Sequence, residues 1–274
     1  MPIVTISRGT YTGGQALAEA LAKRLGYPCL SREDVLKSAA ASFGVPLVKL
    51  THAMDNPPSF WERLIGDRTH YINLVRASLF EQAARDQMVI HGHVMHLLMA
   101  GISHVIRIRV IQDMENRIRI AMERHHFGRG EAIAHVKRAD RERSQWTRFL
   151  HGIDWNDPSE YDAVLNLGHL GVDGACDLVA HMTELEVFRP TAQSLKAMDD
   201  LALGSRVWAT LANDPTTAGA DLKVMADGGL VEITGVAGSW DIADAIPSVA
   251  LRVPGVRDVR SDVSVAPPVY DVSI

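Results

Sequence analysis

The stretch that most limits what this chain can fold into is Pro2–Leu25, PIVTISRGTYTGGQALAEALAKRL. Pro2–Ser7 is a short, β-branched, apolar run, the pattern of a buried parallel strand. Arg8–Gly14 is a turn rich in Gly and Thr. From Gln15 the pattern becomes helical, with Leu17, Ala18, Leu21, Ala22 and Leu25 on one face and Gly26 placed as the cap. A strand, a glycine loop and a helix N-terminus together make an anion site. Glycines let backbone approach closely, successive N–H groups point inward, and the helix dipole favours negative charge. The expectation is a phosphate-binding loop whose contacts come from Arg8, Gly9, Thr10, Thr12, Gly13, Gly14 and Gln15.

The pattern G-x-x-x-x-G-K-[ST] can be laid on Gly9–Ala16 with Gly9 and Gly14 in the glycine places. Gln15 then stands where a lysine would neutralise phosphate charge, and Ala16 where a hydroxyl would help hold Mg²⁺. The loop shape is kept and the catalytic side chains are not. An ordinary tight turn between a strand and a helix is the alternative reading.

Charge divides the chain unevenly. Residues 199–274 carry 5 Lys+Arg against 11 Asp+Glu, whereas Arg107–Arg148 carries 11 against 6. A basic region of this kind suits phosphate, nucleic acid or a membrane surface, and charge alone does not choose. Aromatic interleaving is missing, so nucleic acid is not the expected partner. The sequence has no 18-residue apolar run and no signal-peptide layout. Cys29 and Cys176 match no metal or redox spacing. A reducing cytoplasm is the expected compartment, with both cysteines as small buried hydrophobes.

Further along, strands are expected at Tyr27–Leu30, Met88–His91, His104–Val110 and Asp162–Asn166. Helices are expected from Arg32 to about Ser42, Phe60 to Arg85, 94–100, Met114–His125, Glu131 to about Leu150 and Val172–Thr183. Pro46, Pro57 and Pro58 punctuate an irregular segment between the first two. Ser31 with Asp34 reads as a capping pair, and Asp113 as a cap. Strands alternating with helices indicate an α/β, doubly wound parallel sheet, with ligands at the strand C-termini. After Arg189-Pro190 comes a polar linker, 189–199, and then a helix (Leu201–Asn213), a hairpin (Leu222–Ala226, Gly228-Gly229, Leu230–Gly235), a helix (Ser239–Arg252) and a strand (Val256–Val265). This is an αββαβ module over 200–270.

TISRGTYTGGQALAEALAKRLGYPCLSREDVL, VIHGH and RADRERSQWTRFLHGIDWNDPSEYDAVLNL together resemble the cytidylate kinase-like family, a branch of the P-loop nucleoside monophosphate kinases. The resemblance covers roughly residues 1–183, within a domain expected to span 1–188. It implies a five-stranded parallel sheet, a monophosphate-binding arm, a lid helix, and ATP or another nucleotide as ligand, with or without Mg²⁺. The lid arginines of the pattern fall on Arg138, Arg141 and Arg143, Arg141 foremost. Planar, permanently charged donors stabilise a transferring phosphoryl group. A solvated helix face with Asp140 and Glu142 as local partners explains the same residues. The arm falls on Ser31, Arg32 and Asp34, with Asp34 as an acceptor for a cytosine amino group, and helix capping as the alternative. The family's loop reads G-S-G-G-R-E where this chain has Tyr11-Thr12-Gly13-Gly14-Gln15-Ala16, and its Gly-Arg pair after the third strand is here Gly92-His93. Two positive charges are thus replaced, and Arg8 is the candidate substitute cation.

GLVEITGV and VPGVRDV resemble a BON domain, with Gly229, Gly235 and Gly255 suited to turns. The resemblance implies an association module for a ligand or protein. The absence of an export signal and a charge of −6 over residues 199–274 speak against a membrane. His91, His93 and His96 form H-x-H-x-x-H, for which packing or a place near phosphate is favoured over zinc. Trp61, Trp146, Trp155, Trp208 and Trp240 are scattered and read as core or interface anchors, which leaves room for a homo-oligomer. Three readings follow: a nucleotide-binding sensor or regulator with weak or lost phosphotransfer, an active (d)CMP or nucleoside monophosphate kinase, and a non-binding scaffold.

Overall fold

The computed structural model describes residues 2–55, 67–83, 87–93 and 95–265. Pro57, Pro58, Trp61 and both ends of the helix expected at 60–85 lie outside the described residues. The chain forms two compact units: residues 1–72 with 85–194, and 195–274 with 73–84.

The first unit is built on one parallel sheet. Strand β1 (Ile3–Arg8) lies at its centre, between β3 (Val89–His91) and β4 (Val105–Ile111). Strand β2 (Cys29–Ser31) flanks β3 and β5 (Ala163–Asn166) flanks β4, giving the order β2-β3-β1-β4-β5. Helices α1 (Gly14–Leu25), α2 (Arg32–Phe43), α3 (Leu47–Asp55), α4 (Asp67–Ala83), α5 (Met95–Leu98), α6 (Met114–His125), α7 (Arg129–His151) and α8 (Leu167–Met182) connect the strands and follow them, residues 73–83 of α4 being counted with the second unit. The central strands are apolar on both faces because helices cover both faces. Val4, Ile6, Ile106 and Ile108 join Leu17 and Leu21 of α1 and Ala175 and Val179 of α8 in one buried cluster.

Several elements differ from the sequence reading. α3 forms just after Pro46, in the segment expected to be irregular; proline is tolerated ahead of a helix start. α7 begins at Arg129, so Gly130 lies inside a helix it was expected to break. α8 is interrupted at Gly171 (φ 68°, ψ 174°), and the part beyond is the expected helix. Helix α9 (Ala192–Asn213) starts nine residues before Leu201, so most of the expected linker is helical. Cys29 is exposed and only Cys176 is buried.

In the second unit β6 (Asp221–Asp227) and β7 (Leu230–Ala237) form an antiparallel hairpin. Helix α10 (Trp240–Leu251) then carries the chain to β8 (Asp258–Val265), parallel to β7. Val207, Leu211, Val231, Ile233, Ile246 and Val249 form its core. Gly229 sits in the tight turn at φ 93°, as a side chain there would meet Arg257. Gly235 lies in mid-strand rather than in a turn. Its φ is 146°, and a Cβ would stand 2.1 Å from the Asp221 carbonyl oxygen. The glycine is required by the close approach of two backbones, not by a reversal of the chain.

Candidate functional site

The loop between β1 and α1 closes on itself. Thr12, 3% exposed, donates its hydroxyl to the Gly9 carbonyl at 3.1 Å. Gly13 enters α1 in the left-handed region (φ 81°), and no side chain caps that helix end. Among the described residues no side chain accepts from the first-turn N–H groups of α1, which is the condition for anion binding. At Gly14 a Cβ would lie 2.6 Å from Arg8 Cβ. The missing side chain lets the stem of Arg8 run across the start of α1. Gln15, in the lysine place, donates instead to Glu19 Oε1 at 2.9 Å along the exposed face of the helix.

Beside this loop is a cleft of about 260 Å³ lined by Arg8, Arg32, Glu33, His93, Ala139, Glu142 and Arg143. Four residues singled out in the sequence therefore meet in one place: Arg8, Arg32, His93 and Arg143. Three guanidinium groups face two carboxylates. Arg8 Nη2 is 3.6 Å from Glu33 Oε2, a long contact, and Arg8 Nε is buried without a partner. Burial lowers the Arg8 pKa, with Glu33 opposing that effect. His93 is 5% exposed, and burial first, then Arg143 and Arg32, hold its pKa well below the usual imidazole range. It stands in the cleft as a neutral ring with Nδ1 unpartnered. Gly92, at φ 150°, has no room for a Cβ against Arg32, so the glycine before His93 lets the arginine into the cleft.

Helices α6 and α7 reach the loop from their own side. Asp113 caps α6 by accepting from Asn116 N at 2.9 Å. One turn on, Arg117 donates from Nε to the Thr10 carbonyl at 2.9 Å and pairs through Nη2 with Asp140 at 2.7 Å. Arg143 donates to the Thr10 hydroxyl. The DRER run is thus shared out around α7: Asp140 holds Arg117, Glu142 and Arg143 face the cleft, and Arg141 is exposed, as is Arg138. Arg143, rather than Arg141, is the arginine at the loop. Tyr11 has φ 61°, and its hydroxyl lies 2.7 Å from His125 Nε2 and 3.0 Å from His135 Nε2.

Ser31 and Asp34 form a complete capping box at the start of α2: Ser31 Oγ accepts from Asp34 N, and Asp34 Oδ2 accepts from Ser31 N and Oγ. Those hydrogen bonds, Oγ of Ser31 foremost, lower the Asp34 pKa. Their polar atoms are engaged locally, and neither residue lines the cleft. Behind the loop, the Arg109 guanidinium stacks 4.3 Å over the Trp155 ring, and Tyr161 donates to the Trp155 carbonyl at 2.9 Å. Asp162 receives the Arg107 side chain and backbone N–H. Of these residues Trp155 comes up to the loop, where a Cβ on Gly9 would lie 3.8 Å from its ring, whereas Asp162 ties the start of β5 to β4. His91, His93 and His96 are all buried, and among the described residues no three His, Cys, Asp or Glu side chains gather as a metal set. Arg117 and Tyr11 were not named as site residues from the sequence, and Glu142 was read only as a local partner on a solvated helix face. The signal for Tyr11 was present, since the resembled pattern has glycine where this chain has tyrosine.

A parallel sheet with an uncapped glycine loop after its central strand, and arginine-bearing helices folded onto that loop, defines a kinase-like fold of the P-loop class. Residues 3–169 match the cytidylate kinase-like family, and the chain belongs to it. Residues 199–267 match the BON domain. A protein named cytidylate kinase from Pyrobaculum aerophilum is 25% identical over 177 residues, 64% of this chain and 89% of that one. Another of that name from Staphylothermus marinus is 26% identical over 186 residues, 67% of this chain and 97% of the other. The solved structure of an uncharacterized protein from Eubacterium ventriosum overlays with a TM-score of 0.49 at 19% identity, covering 67% of this chain and 99% of that one. Among the described residues no helix is long and apolar enough to cross a membrane.

Proposed function

We propose that the loop and cleft bind the phosphates of a nucleotide, ATP being the first candidate, and that phosphoryl transfer there is weak or lost. The observation that carries this is the placement of charge. Arg8, Arg32 and Arg143 converge on the cleft, while the residue in the lysine place is a neutral glutamine bonded to its own helix. Arg8 and the first-turn N–H groups of α1 would hold phosphate oxygens, and Arg143 would cover them from α7. A nucleotide supplies phosphates that suit guanidinium forks. Ala16 offers no hydroxyl to a magnesium ion, and the Thr12 hydroxyl is spent on Gly9. In this reading residues 1–188 sense the nucleotide, 189–199 connect, and the BON module at 200–270 passes the state to a ligand or protein, in the cytoplasm.

A second reading, an active nucleoside monophosphate kinase, is favoured by the relatives named cytidylate kinase. In it Arg8 takes over the missing charge. Calorimetric titration of ATP, ADP and CMP, with and without Mg²⁺, together with an assay of ADP production, separates the readings. Binding without turnover is the expected result. Robust Mg²⁺-dependent CMP phosphorylation establishes the kinase, and no binding at all leaves a scaffold.

A further inference from the structure

Tyr11 is the strained residue of the loop. Its φ of 61° is in the left-handed region, where a bulky side chain is disfavoured and glycine is the ordinary occupant. Such a conformation persists only where surrounding contacts over-determine it, and here they come from two helices. The phenol oxygen lies 2.7 Å from His125 Nε2 at the end of α6 and 3.0 Å from His135 Nε2 in α7. A hydroxyl donates once and accepts on its lone pairs, so one imidazole accepts its proton while the other donates to its oxygen. Phe127 stacks on His125 with centroids 5.0 Å apart and planes at 17°, and lies 5.3 Å from His135. The neighbouring residue, Thr10, receives Arg117 on its carbonyl and Arg143 on its hydroxyl. Two consecutive loop residues thus carry every one of these attachments to the α6–α7 hairpin.

We propose that Tyr11, His125 and His135 form a proton-sensitive clasp that holds the α6–α7 hairpin on the phosphate loop, making Tyr11 a positioning residue for Arg143. With both imidazoles neutral, or one charged, the phenol finds one donor and one acceptor. With both charged it faces two donors and no acceptor, and two cations share one small space. Arg124 over the Tyr11 ring, Arg138 of α7 and Arg143 add to that repulsion, and Glu131 and Glu142 oppose it. Burial, then His125 and Arg138, lower the His135 pKa, so the folded clasp favours the neutral ring. The sign follows. A histidine whose folded pKa is depressed stabilises its contact above the ordinary imidazole pKa, and that stabilisation is lost as pH falls below it. The clasp opens in mild acid.

The test uses the full chain, first without nucleotide. Hydrogen exchange of residues 114–151 is compared in the wild type, Tyr11→Phe, His135→Ala and His135→Gln. Tyr11→Phe and His135→Ala are expected to speed exchange there about three- to tenfold, as loss of a net hydrogen bond implies. His135→Gln, whose amide can occupy the place of Nε2, stays near the wild type. Lowering the pH from 7.5 to 5.5, after correction for intrinsic exchange, loosens the wild-type hairpin and leaves Tyr11→Phe unchanged. ATP titration is the second arm. It rests on the reading of the loop as a nucleotide site, and there Tyr11→Phe weakens binding about three- to tenfold, less than additively with Arg143→Ala. Unchanged exchange in both Tyr11→Phe and His135→Ala overturns the clasp. A wild type that binds no ATP, yet shows the exchange pattern, overturns the nucleotide reading and upholds the clasp.

Discussion

The parallel-sheet region and the αββαβ module handle buried polarity in opposite ways. In the first, Arg8 Nε, His91 Nδ1, His93 Nδ1, both ring nitrogens of His96, Arg109 Nη1 and Trp155 Nε1 are buried without hydrogen-bond partners. In residues 195–265 no buried side-chain polar atom is left so. There Thr217 donates to Leu211 O at 2.6 Å, Trp208 to Leu222 O at 3.0 Å, and Asp200 accepts from Gly228 N at 2.6 Å. All twelve histidines precede residue 195. Polar groups that a fold leaves unpaired cost free energy and call for an explanation, and those of the first unit gather near the C-terminal ends of β1, β3 and β4. The BON unit spends its polarity on its own architecture. The kinase-like unit leaves polar atoms unpaired, and two of them, Arg8 Nε and His93 Nδ1, belong to residues that line the cleft.

The largest break in this contrast comes from the architectural side. Gly235→Ala forces a Cβ into the Asp221 carbonyl at an unfavourable φ, and is expected to cost more than about 3 kcal/mol. Hydrogen exchange should show it as loss of protection in β6 and β7. Next is pH. Burial, with Arg107, His151 and Arg109 assisting, holds the His96 pKa at about 3. An unfolded imidazole takes up its proton near 6.5, so stability present at pH 7 is lost as pH falls through that value. At pH 5 the loss is about 2 kcal/mol from this residue. Denaturant titration at the two pH values should destabilise the first unit and spare the histidine-free second. His96→Leu should make the profile shallower, with buried His91 and His93 keeping the remainder, at little cost at pH 7, because it removes two unpaired atoms.

Arg8→Ala sharpens the contrast on the binding side. ATP affinity should fall at least about tenfold, as for loss of a charge-assisted contact, while the melting temperature hardly moves. A large drop in melting temperature would mean that Arg8 serves the fold. The smallest effect is Thr217→Val, expected to cost about 1 kcal/mol through the orphaned Leu211 carbonyl, measured by thermal unfolding.

The sheet, the loop and the order of the αββαβ module were legible because β-branched runs, glycines and helical periodicity are local signals. α3 was not, because Pro46 precedes it and its Val48 is 72% exposed, which blurs the apolar face. The extension of α9 back to Ala192 was hidden by polar residues that a helix tolerates. At the site, Arg8, Arg32, His93 and Arg143 were named from the sequence, but their convergence depends on residues 8, 32, 93 and 143 meeting through the sheet. Which arginine of the DRER run turns inward is a matter of helix phase. It was settled by Arg117, 23 residues earlier, taking Asp140 as its partner. Local patterns carry the elements, and non-local contacts choose among the side chains.

The position of β1 has a consequence for how the chain is made. The strand at residues 3–8 is the middle of the sheet, and its two neighbours are encoded at 89–91 and 105–111. At translation rates of 5–20 residues per second, the glycine loop waits on the order of 5–20 s before both sides of its strand exist. During that time an apolar, β-branched strand is in solution with two open edges. The β6–β7 hairpin, by contrast, meets its partner within a few residues of leaving the ribosome. The segment that organises the finished molecule is therefore the one most exposed while it is being built, and a strain short of chaperones should lose the kinase-like unit before the BON unit.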